Sequence, residues 1–474
     1  MTDCPFEQDI RELTMAFYPG ETFVHEEQED VAFYVKVTGE EKSYHLELKD
    51  SDREKLESHS EKIPDDRFET KNLIKQELYN LLQKKTGKTL PWGTLTGIRP
   101  TKIAMAKLEE GWSEERTSKY LKETYLASDD KIELCVKTAE TEKELLRNID
   151  YKRGYSLYVG IPFCPTTCLY CSFTSYPIGR WVGKTKLYLD ALFKELEYTA
   201  ERMKDRPLDT IYFGGGTPTS LPAEDIDAIL CKIESLFDLS QIQEFTVEAG
   251  RPDSITREKL QVLRSHNITR ISINPQTMKQ ATLDLIGRHH TVDMVKDCFH
   301  MAREMGFDNI NMDLIIGLPE ETMEDVERTM EEIKELAPDS ITVHSLAIKR
   351  AARLNMFKDK YENLTITNTQ EMIDLTARYA KDMGLEPYYL YRQKNMAGNF
   401  ENVGYATPGK ACIYNILIME EKQTIVACGA GTTTKVVFPA ENRLERVENV
   451  KDVEIYIARI DEMIERKEKM LANL

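Results

Sequence analysis

Nowhere in its 474 residues does the chain hold an apolar run near the ~20 residues that a membrane span requires. The opening MTDCPFEQDI carries acids and lacks the basic-then-apolar order of a secretory signal. A cytoplasmic protein without a membrane span is therefore expected. Basic charge is also short: 63 Lys and Arg face 81 Asp and Glu, a formal net charge of −18. A field of that sign repels phosphate backbones, so no nucleic-acid partner is expected, although a local basic pocket stays compatible with it. Cysteine is sparse, nine in all, which excludes a disulfide scaffold and suits a reducing compartment. Low-complexity tracts are missing too. The remainder, 41% apolar and 30% charged, is an ordinary soluble composition, and the length calls for two or three domains.

Six cysteines (Cys4, Cys135, Cys231, Cys298, Cys412, Cys428) are scattered and read as small buried apolar fillers. The other three, Cys164, Cys168 and Cys171, fall within eight residues as C-x3-C-x2-C, directly after an apolar strand-like run. Three thiolates so close can converge on one metal centre. A four-iron cluster normally takes four cysteines; with three, one iron would lack a protein ligand and could bind a small molecule. The alternative is a structural zinc whose fourth ligand lies elsewhere. The nearest histidines, His59 and His266, are far off in sequence.

Three domains are expected. Residues 1–150 read as an N-terminal α+β accessory domain, with β-prone runs at Thr22–His25, Val31–Val37 and Lys42–Leu48 and a helix at Asn72–Lys85. The turn-rich Leu90–Thr101 segment, with Trp92 and Arg99, is either a structured loop or a functional one. Residues 151–350 alternate strongly. Strands are expected at Ser156–Gly160, Thr210–Phe213, Glu244–Glu248, Arg270–Asn274, Asn311–Ile315 and Ser340–Ser345. Helices are expected at Lys186–Met203, Ala223–Phe237, Arg257–His266, Thr291–Met305 and Glu321–Leu336. This is the pattern of an α/β protein with a partial (β/α)6 barrel, whose active groups gather at the carboxyl ends of the strands. The cysteine loop, Gly214-Gly215-Gly216-Thr217-Pro218, Glu248, Asn274-Pro275-Gln276 and Asp313 all stand at or near such ends. Residues 351–474 read as a C-terminal α+β cover: a helix over 365–383, strands around Ile413–Met419 and Thr424–Ala427, and an amphipathic helix from Val450 to Leu474 that packs on the body.

The cysteine loop, with Tyr170 before its last cysteine, resembles that of the radical S-adenosylmethionine superfamily. Tyr158-Val159-x-Ile161-Pro162-Phe163-Cys164, then Gly214–Pro218, then Met312–Pro319, resemble the oxygen-independent coproporphyrinogen III dehydrogenases. Trp92-Gly93-x-Leu95-x-Gly97-Ile98-Arg99-Pro100 is similar to the HemZ-type branch of that family. The resemblance runs from about Tyr155 to Ala440, and the N-terminal part matches that branch alone.

The resemblance implies a [4Fe-4S] cluster on Cys164, Cys168 and Cys171, with S-adenosyl-L-methionine on its open iron. It implies that Gly214, Gly215, Gly216 and Thr217 meet the cofactor's amino group. Glu248, Gln276, Arg288 and Asp313 would hold its carboxylate, amine and ribose, and Tyr158 would stand near the substrate as the catalytic candidate. The implied reaction is oxidative decarboxylation of two coproporphyrinogen III propionates to vinyl groups, giving protoporphyrinogen IX, with a flavodoxin or ferredoxin as electron donor. A haem-binding carrier on the same fold, or an anaerobic radical haem-modifying enzyme, are the alternatives. Two positions depart from the pattern: Gly160 stands where both the enzymes and the related haem chaperones carry histidine, and Phe173 stands where the enzymes carry a further cysteine, which is closer to the chaperone-like relatives. Gly429-Ala430-Gly431 belongs by resemblance to the C-terminal cover; its spacing to Lys435 is wrong for a phosphate loop. His289 and His290 are unassigned.

Overall fold

The computed structural model describes residues 5–19, 21–24, 33–40, 43–50, 55–60, 64–97, 99–347, 352–356, 364–392, 400–441, 443–472 and 474. The chain divides into two compact units, Met1–Glu140 with Leu390–Phe400, and Thr141–Tyr389 with Glu401–Leu474.

In the first unit, strands β1 (Phe33–Glu40), β2 (Ser43–Asp50) and β3 (Lys55–Ser60) form an antiparallel sheet. Val37, Leu46 and Leu48 on its inner face pack with Ile10, Leu13 and Phe17 of helix Glu7–Phe17 and Ile74, Leu78 and Leu82 of helix Arg67–Thr86. Asp66 caps the longer helix by accepting from the Phe68 and Glu69 amides, and Gly87 ends it in the left-handed conformation. Thr22–Val24 form no regular structure, against the strand expected there, and His25 and Val31 lie outside the described residues. In the turn-rich segment Trp92 is buried, and a side chain at Gly93 would collide with the Tyr125 carbonyl. Arg392 donates to the Leu95 carbonyl (2.6 Å) with its guanidinium over the Trp92 ring. Packing therefore accounts for Gly93 and Trp92.

The second unit is built on an eleven-stranded open sheet. Its strands are β4 (Tyr155–Ile161), β5 (Leu208–Gly215), β6 (Glu244–Gly250), β7 (Arg270–Ile273), β8 (Ile310–Ile316), β9 (Ser340–Ser345), β10 (Glu386–Tyr391), β11 (Asn402–Ala406), β12 (Thr424–Cys428), β13 (Thr433–Phe438) and β14 (Arg443–Glu448), in the order β10-β11-β9-β8-β7-β6-β5-β4-β12-β13-β14. Strands β4 to β9 are mutually parallel, the partial (β/α)6 barrel expected. Helices Thr185–Met203, Ala223–Leu236, Arg257–Ser265, Val292–Glu304 and Met323–Leu336 lie between them in sequence. The strands are near-continuously buried, as two covered faces require. Residues after 350 join this same sheet through β10 to β14, and both sides of that expected boundary lie in the one compact unit.

Two expectations in the C-terminal part are corrected. Ile413–Glu420 is a helix, not a strand, with Tyr414, Ile416, Leu417 and Glu420 buried. Its apolar residues, Ile413, Tyr414 and Ile416–Met419 with Asn415 between them, make too short a run for periodicity to tell the two apart. The terminal amphipathic stretch is two helices, Val453–Ala458 and Ile460–Leu471, meeting at Arg459.

Candidate functional site

Strand β4 delivers the cysteine loop to the carboxyl end of the parallel strands. After Ile161 the chain makes the short strand Phe163–Cys164, paired with Tyr176–Pro177. The loop is pinned at several points. Leu169 is buried among Leu283, Ile286, Ile315, Leu318 and Leu346, and its amide donates to the Ile286 carbonyl at 2.9 Å. Thr166 Oγ1 donates to the Gly287 carbonyl at 3.0 Å. The Cys171 amide donates to the Cys168 carbonyl at 3.3 Å. Cys164 and Cys168 are both 8% exposed and Cys171 is half-buried. Burial pushes the Cys164 thiol up to about 11, with Thr217 opposing it and the other two cysteines adding to it. Thiols so placed deprotonate when a metal takes them. Among the described residues, sets of three ligand atoms lying within 4.8 Å of one another do not include these three sulfurs.

The glycines at the end of β5 are explained by the same loop. The Gly216 and Thr217 amides donate to the Ile161 and Phe163 carbonyls, both at 2.7 Å. A Cβ at Gly216 would stand 3.0 Å from Cys164 Sγ, and one at Gly214 would stand 3.0 Å from the Glu248 carboxylate. Gly215 has φ +114, open to glycine at little cost. Thr217 Oγ1 lies 3.5 Å from Cys164 Sγ. Sequence and structure thus bring the glycine strand end and the cysteine loop into contact.

Around this floor stand the remaining expected residues. Glu248 sits where β6 loses register with β7, and it accepts from Tyr212 Oη at 2.6 Å. Burial raises its pKa to about 7, with Asp313 adding to the rise. Gln276, just beyond β7, holds a left-handed backbone at φ +70 and leaves Oε1 buried with no partner. Its peptide is fixed by bonds to Asp313 and Ile315, each 3.0 Å. Arg288 is buried, donates to the Asn274 carbonyl and faces Cys168 and Tyr170. Burial works against its charge, yet those two neighbours lift its pKa above the ordinary value, and its Nε is unpartnered. Asp313 accepts from Asn311 at 2.7 Å. Burial alone would raise its pKa, but hydrogen bonds from His344, Asn311 and Thr342 hold it below the usual value. Tyr158 projects from mid-β4 and stacks on Tyr212 and Tyr414, with centroids 6.1 Å apart in each case.

Several residues here were not singled out in the sequence. Arg251, 2% exposed, clamps Asp253 and donates to Thr166, with Nη1 3.7 Å from Cys168 Sγ. His344 lies 3.9 Å from Asp313. Tyr414 comes from the helix mistaken for a strand. Arg251 follows a strand end directly, a signal that could have flagged it. His290, left unassigned, is fully buried with both ring nitrogens unpartnered; burial and the Arg288 charge lower its pKa to about 4.

Gly160, at the tip of β4, has no room for a side chain: a Cβ would collide with Thr432 Cγ2. Its carbonyl accepts from Tyr188 Oη at 2.6 Å, and the same hydroxyl accepts from the Ala430 amide at 3.2 Å. Phe173 is 71% exposed.

The orphaned Gln276 Oε1 and Arg288 Nε and the glycine cradle fit a polar, close-lying cofactor over the cysteine loop. Residues 158–333 match the family model described as the radical SAM superfamily. The chain is 43% identical over 410 residues (86% of this chain, 82% of the relative) to the oxygen-independent coproporphyrinogen-III oxidase-like protein HemZ of Bacillus subtilis (strain 168). It is 37% identical over 195 residues (41% of this chain, 51% of the relative) to the heme chaperone HemW of the same organism. In fold it is similar to coproporphyrinogen III oxidase (HemN) from Escherichia coli, described as a radical SAM enzyme. That match has a TM-score of 0.53 and 23% identity, covering 68% of this chain and 73% of that one.

Proposed function

That the chain belongs to the oxygen-independent coproporphyrinogen-III oxidase-like family, within the radical SAM superfamily, is the premise from which we propose that it oxidatively decarboxylates coproporphyrinogen III. The reaction removes a hydrogen atom from the β-carbon of a propionate, then CO2, then one electron to a one-electron acceptor, leaving a vinyl group. Two such rounds give protoporphyrinogen IX. The observation that carries the reading is the contact of Cys164 with the strand end at Gly216 and Thr217, together with the buried unpartnered atoms of Gln276 and of Arg288, which faces Cys168. The substrate class rests on the resemblance to the family and on the extent of the match to HemZ.

When bound, a [4Fe-4S] cluster and S-adenosyl-L-methionine supply the hydrogen-abstracting radical chemistry. Cys164, Cys168 and Cys171 would each hold one iron. Gly214, Gly215, Gly216 and Thr217 would admit the cofactor's amino group close to the backbone. Arg288 is the cation for its carboxylate, Gln276 offers an acceptor to an amine, and Glu248 and Asp313 offer acceptors to ribose hydroxyls. Tyr158 would stand against the substrate, fixed from below by Tyr414 and Tyr212. The buried members of the set, Thr217, Gln276 and Arg288 among them, would help to exclude water from the reacting carbon. A low-potential flavodoxin or ferredoxin is the proposed donor and a tetrapyrrole the proposed partner.

A second reading, a haem carrier, is favoured by one observation: Phe173, 71% exposed, stands where the enzymes carry a further cysteine and is closer there to the chaperone-like relatives. The test is anaerobic. Reduced, cluster-reconstituted protein is mixed with coproporphyrinogen III, and 5′-deoxyadenosine and protoporphyrinogen are followed together. Both should accumulate. Cofactor cleavage with no vinyl product would sink the decarboxylase reading, and stoichiometric haem uptake without turnover would support the carrier.

A further inference from the structure

Cys231 is not the buried filler that its isolation in the sequence suggests: it is exposed. Asp227 and Cys231 lie one turn apart on helix Ala223–Leu236, and Glu234 follows on the same side. His266, at the end of helix Arg257–Ser265, reaches across to this face and is 8% exposed. Its Nε2 is 2.9 Å from Asp227 Oδ1 and its Nδ1 is 3.0 Å from Glu234 Oε1. Cys231 Sγ is 3.9 Å from Asp227 Oδ2. One ligand atom from each of Asp227, Cys231 and His266 falls within 4.8 Å of the others.

We propose that Asp227, Cys231 and His266 form a second metal site, for a zinc-type divalent cation, on the helical layer away from the cysteine loop. Metal–ligand bonds of ~2.0–2.3 Å put tetrahedral ligands ~3.3–3.8 Å apart, so the observed separations close on an ion with small side-chain movements. Thiolate, imidazole and carboxylate together are the ligand mixture that selects zinc over magnesium or calcium, with water in the fourth position. Glu234 completes the arrangement. A carboxylate on the imidazole nitrogen opposite the metal fixes ring and tautomer and raises the basicity of the ligating nitrogen. The ion would tie the two helices together on the outside of the parallel strands, and the chain's net charge of −18 favours cation uptake.

The test uses full-length protein with its iron–sulfur cluster in place, so that Cys164, Cys168 and Cys171 are occupied. Anaerobic titration with Co2+, read as difference spectra, should give one equivalent with a sulfur-to-cobalt charge-transfer band that Zn2+ abolishes by displacement. Cys231→Ser, at an exposed position, should keep the fold, remove that band and weaken Zn2+ binding about 100-fold by calorimetry. Glu234→Gln should weaken it ~10-fold, the scale of a lost outer carboxylate. The proposal is overturned by a cobalt spectrum with no thiolate band. It is equally overturned if stoichiometry and affinity survive Cys231→Ser, which would place the ion elsewhere, including at the cysteine loop.

Discussion

Two buried polar regions of the barrel unit differ in one respect that separates scaffold from site. In the first, the Glu195 carboxylate accepts from the Gly429 amide (2.8 Å), Asn449 Nδ2 (2.7 Å), Tyr456 Oη (2.6 Å) and Lys467 Nζ (2.6 Å). Lys467 also donates to the Ala427 carbonyl at 2.7 Å. Every partner is supplied by the chain. In the second, at the mouth above the cysteines, Gln276 Oε1, Arg288 Nε and both nitrogens of His290 are buried without partners. A buried polar group left alone costs about 1–3 kcal/mol, so folded proteins rarely keep several together unless something else completes them. The saturated region holds the Gly429–Gly431 turn against the tip of β4; the unsaturated one leaves buried polar atoms for the proposed cofactor to complete.

If the contrast is right, the saturated region should fail hardest. Lys467→Met leaves the Glu195 charge buried and unpaired, since Lys467 and Glu195 side chains are 1% and 0% exposed. Removing one partner of such a pair costs ~3–5 kcal/mol. Urea unfolding of the variant should show that loss; a change under ~1 kcal/mol would mean the pair is not the keystone its geometry indicates.

The next effect depends on pH. Burial raises Glu248 from 4.5 to about 7, so the folded state binds this proton more tightly than the unfolded chain does. The stability it contributes is fully present below pH 4.5 and is lost as pH rises through about 7. Each tenfold difference in proton affinity between the folded and unfolded states is worth about 1.4 kcal/mol, so the whole window is worth up to ~3 kcal/mol. Glu248→Gln should flatten that part of the stability profile, measured as urea midpoints from pH 4.5 to 8. An unchanged slope would locate the titration in some other group.

Gly160→Ala tests the joint between the two regions. The new methyl meets Thr432 Cγ2, a contact that ordinary overpacking values put at ~1–3 kcal/mol. Thr432→Ser removes that methyl and keeps the hydroxyl that donates to the Gly429 carbonyl at 2.7 Å. The double variant should recover about half the loss or more; strict additivity would show that the two side chains do not meet.

How far these regions could be read from the sequence follows from how local each one is. Strands β4 to β9 and their helices were legible because apolar runs of strand length alternate with capped amphipathic stretches: Thr322 with Asp325 forms a capping box, and Thr256 and Thr291 cap theirs. The cysteines, the glycines and the strand-end acids were legible because the barrel rule places them. The saturated region was not. Glu195 and the group Asn449, Tyr456 and Lys467 come from two segments far apart in sequence, and nothing local in either one announces the contact. Ile413–Glu420 failed because so short an apolar run shows no readable period, and Tyr414 was lost with it. Cys231 failed because a lone cysteine carries no sign in the sequence of whether it is buried, and the structure leaves it exposed.

The smallest change in stability and the sharpest change in binding are expected at Gln276. Its left-handed backbone costs of order 1–3 kcal/mol for a residue with a side chain, and its Oε1 returns nothing to the fold. Gln276→Gly relieves that backbone while adding freedom to the unfolded chain, so the two effects oppose and stability should change by under ~1 kcal/mol. The amine that Oε1 is proposed to accept from would lose its partner, a change of ~1.4 kcal/mol or about tenfold in affinity for S-adenosyl-L-methionine. Equilibrium dialysis on cluster-loaded protein, set beside urea midpoints, separates the two quantities. A variant that loses stability and keeps cofactor affinity would put Gln276 with Glu195 and Lys467 as scaffold, and the orphaned oxygen would no longer mark a site.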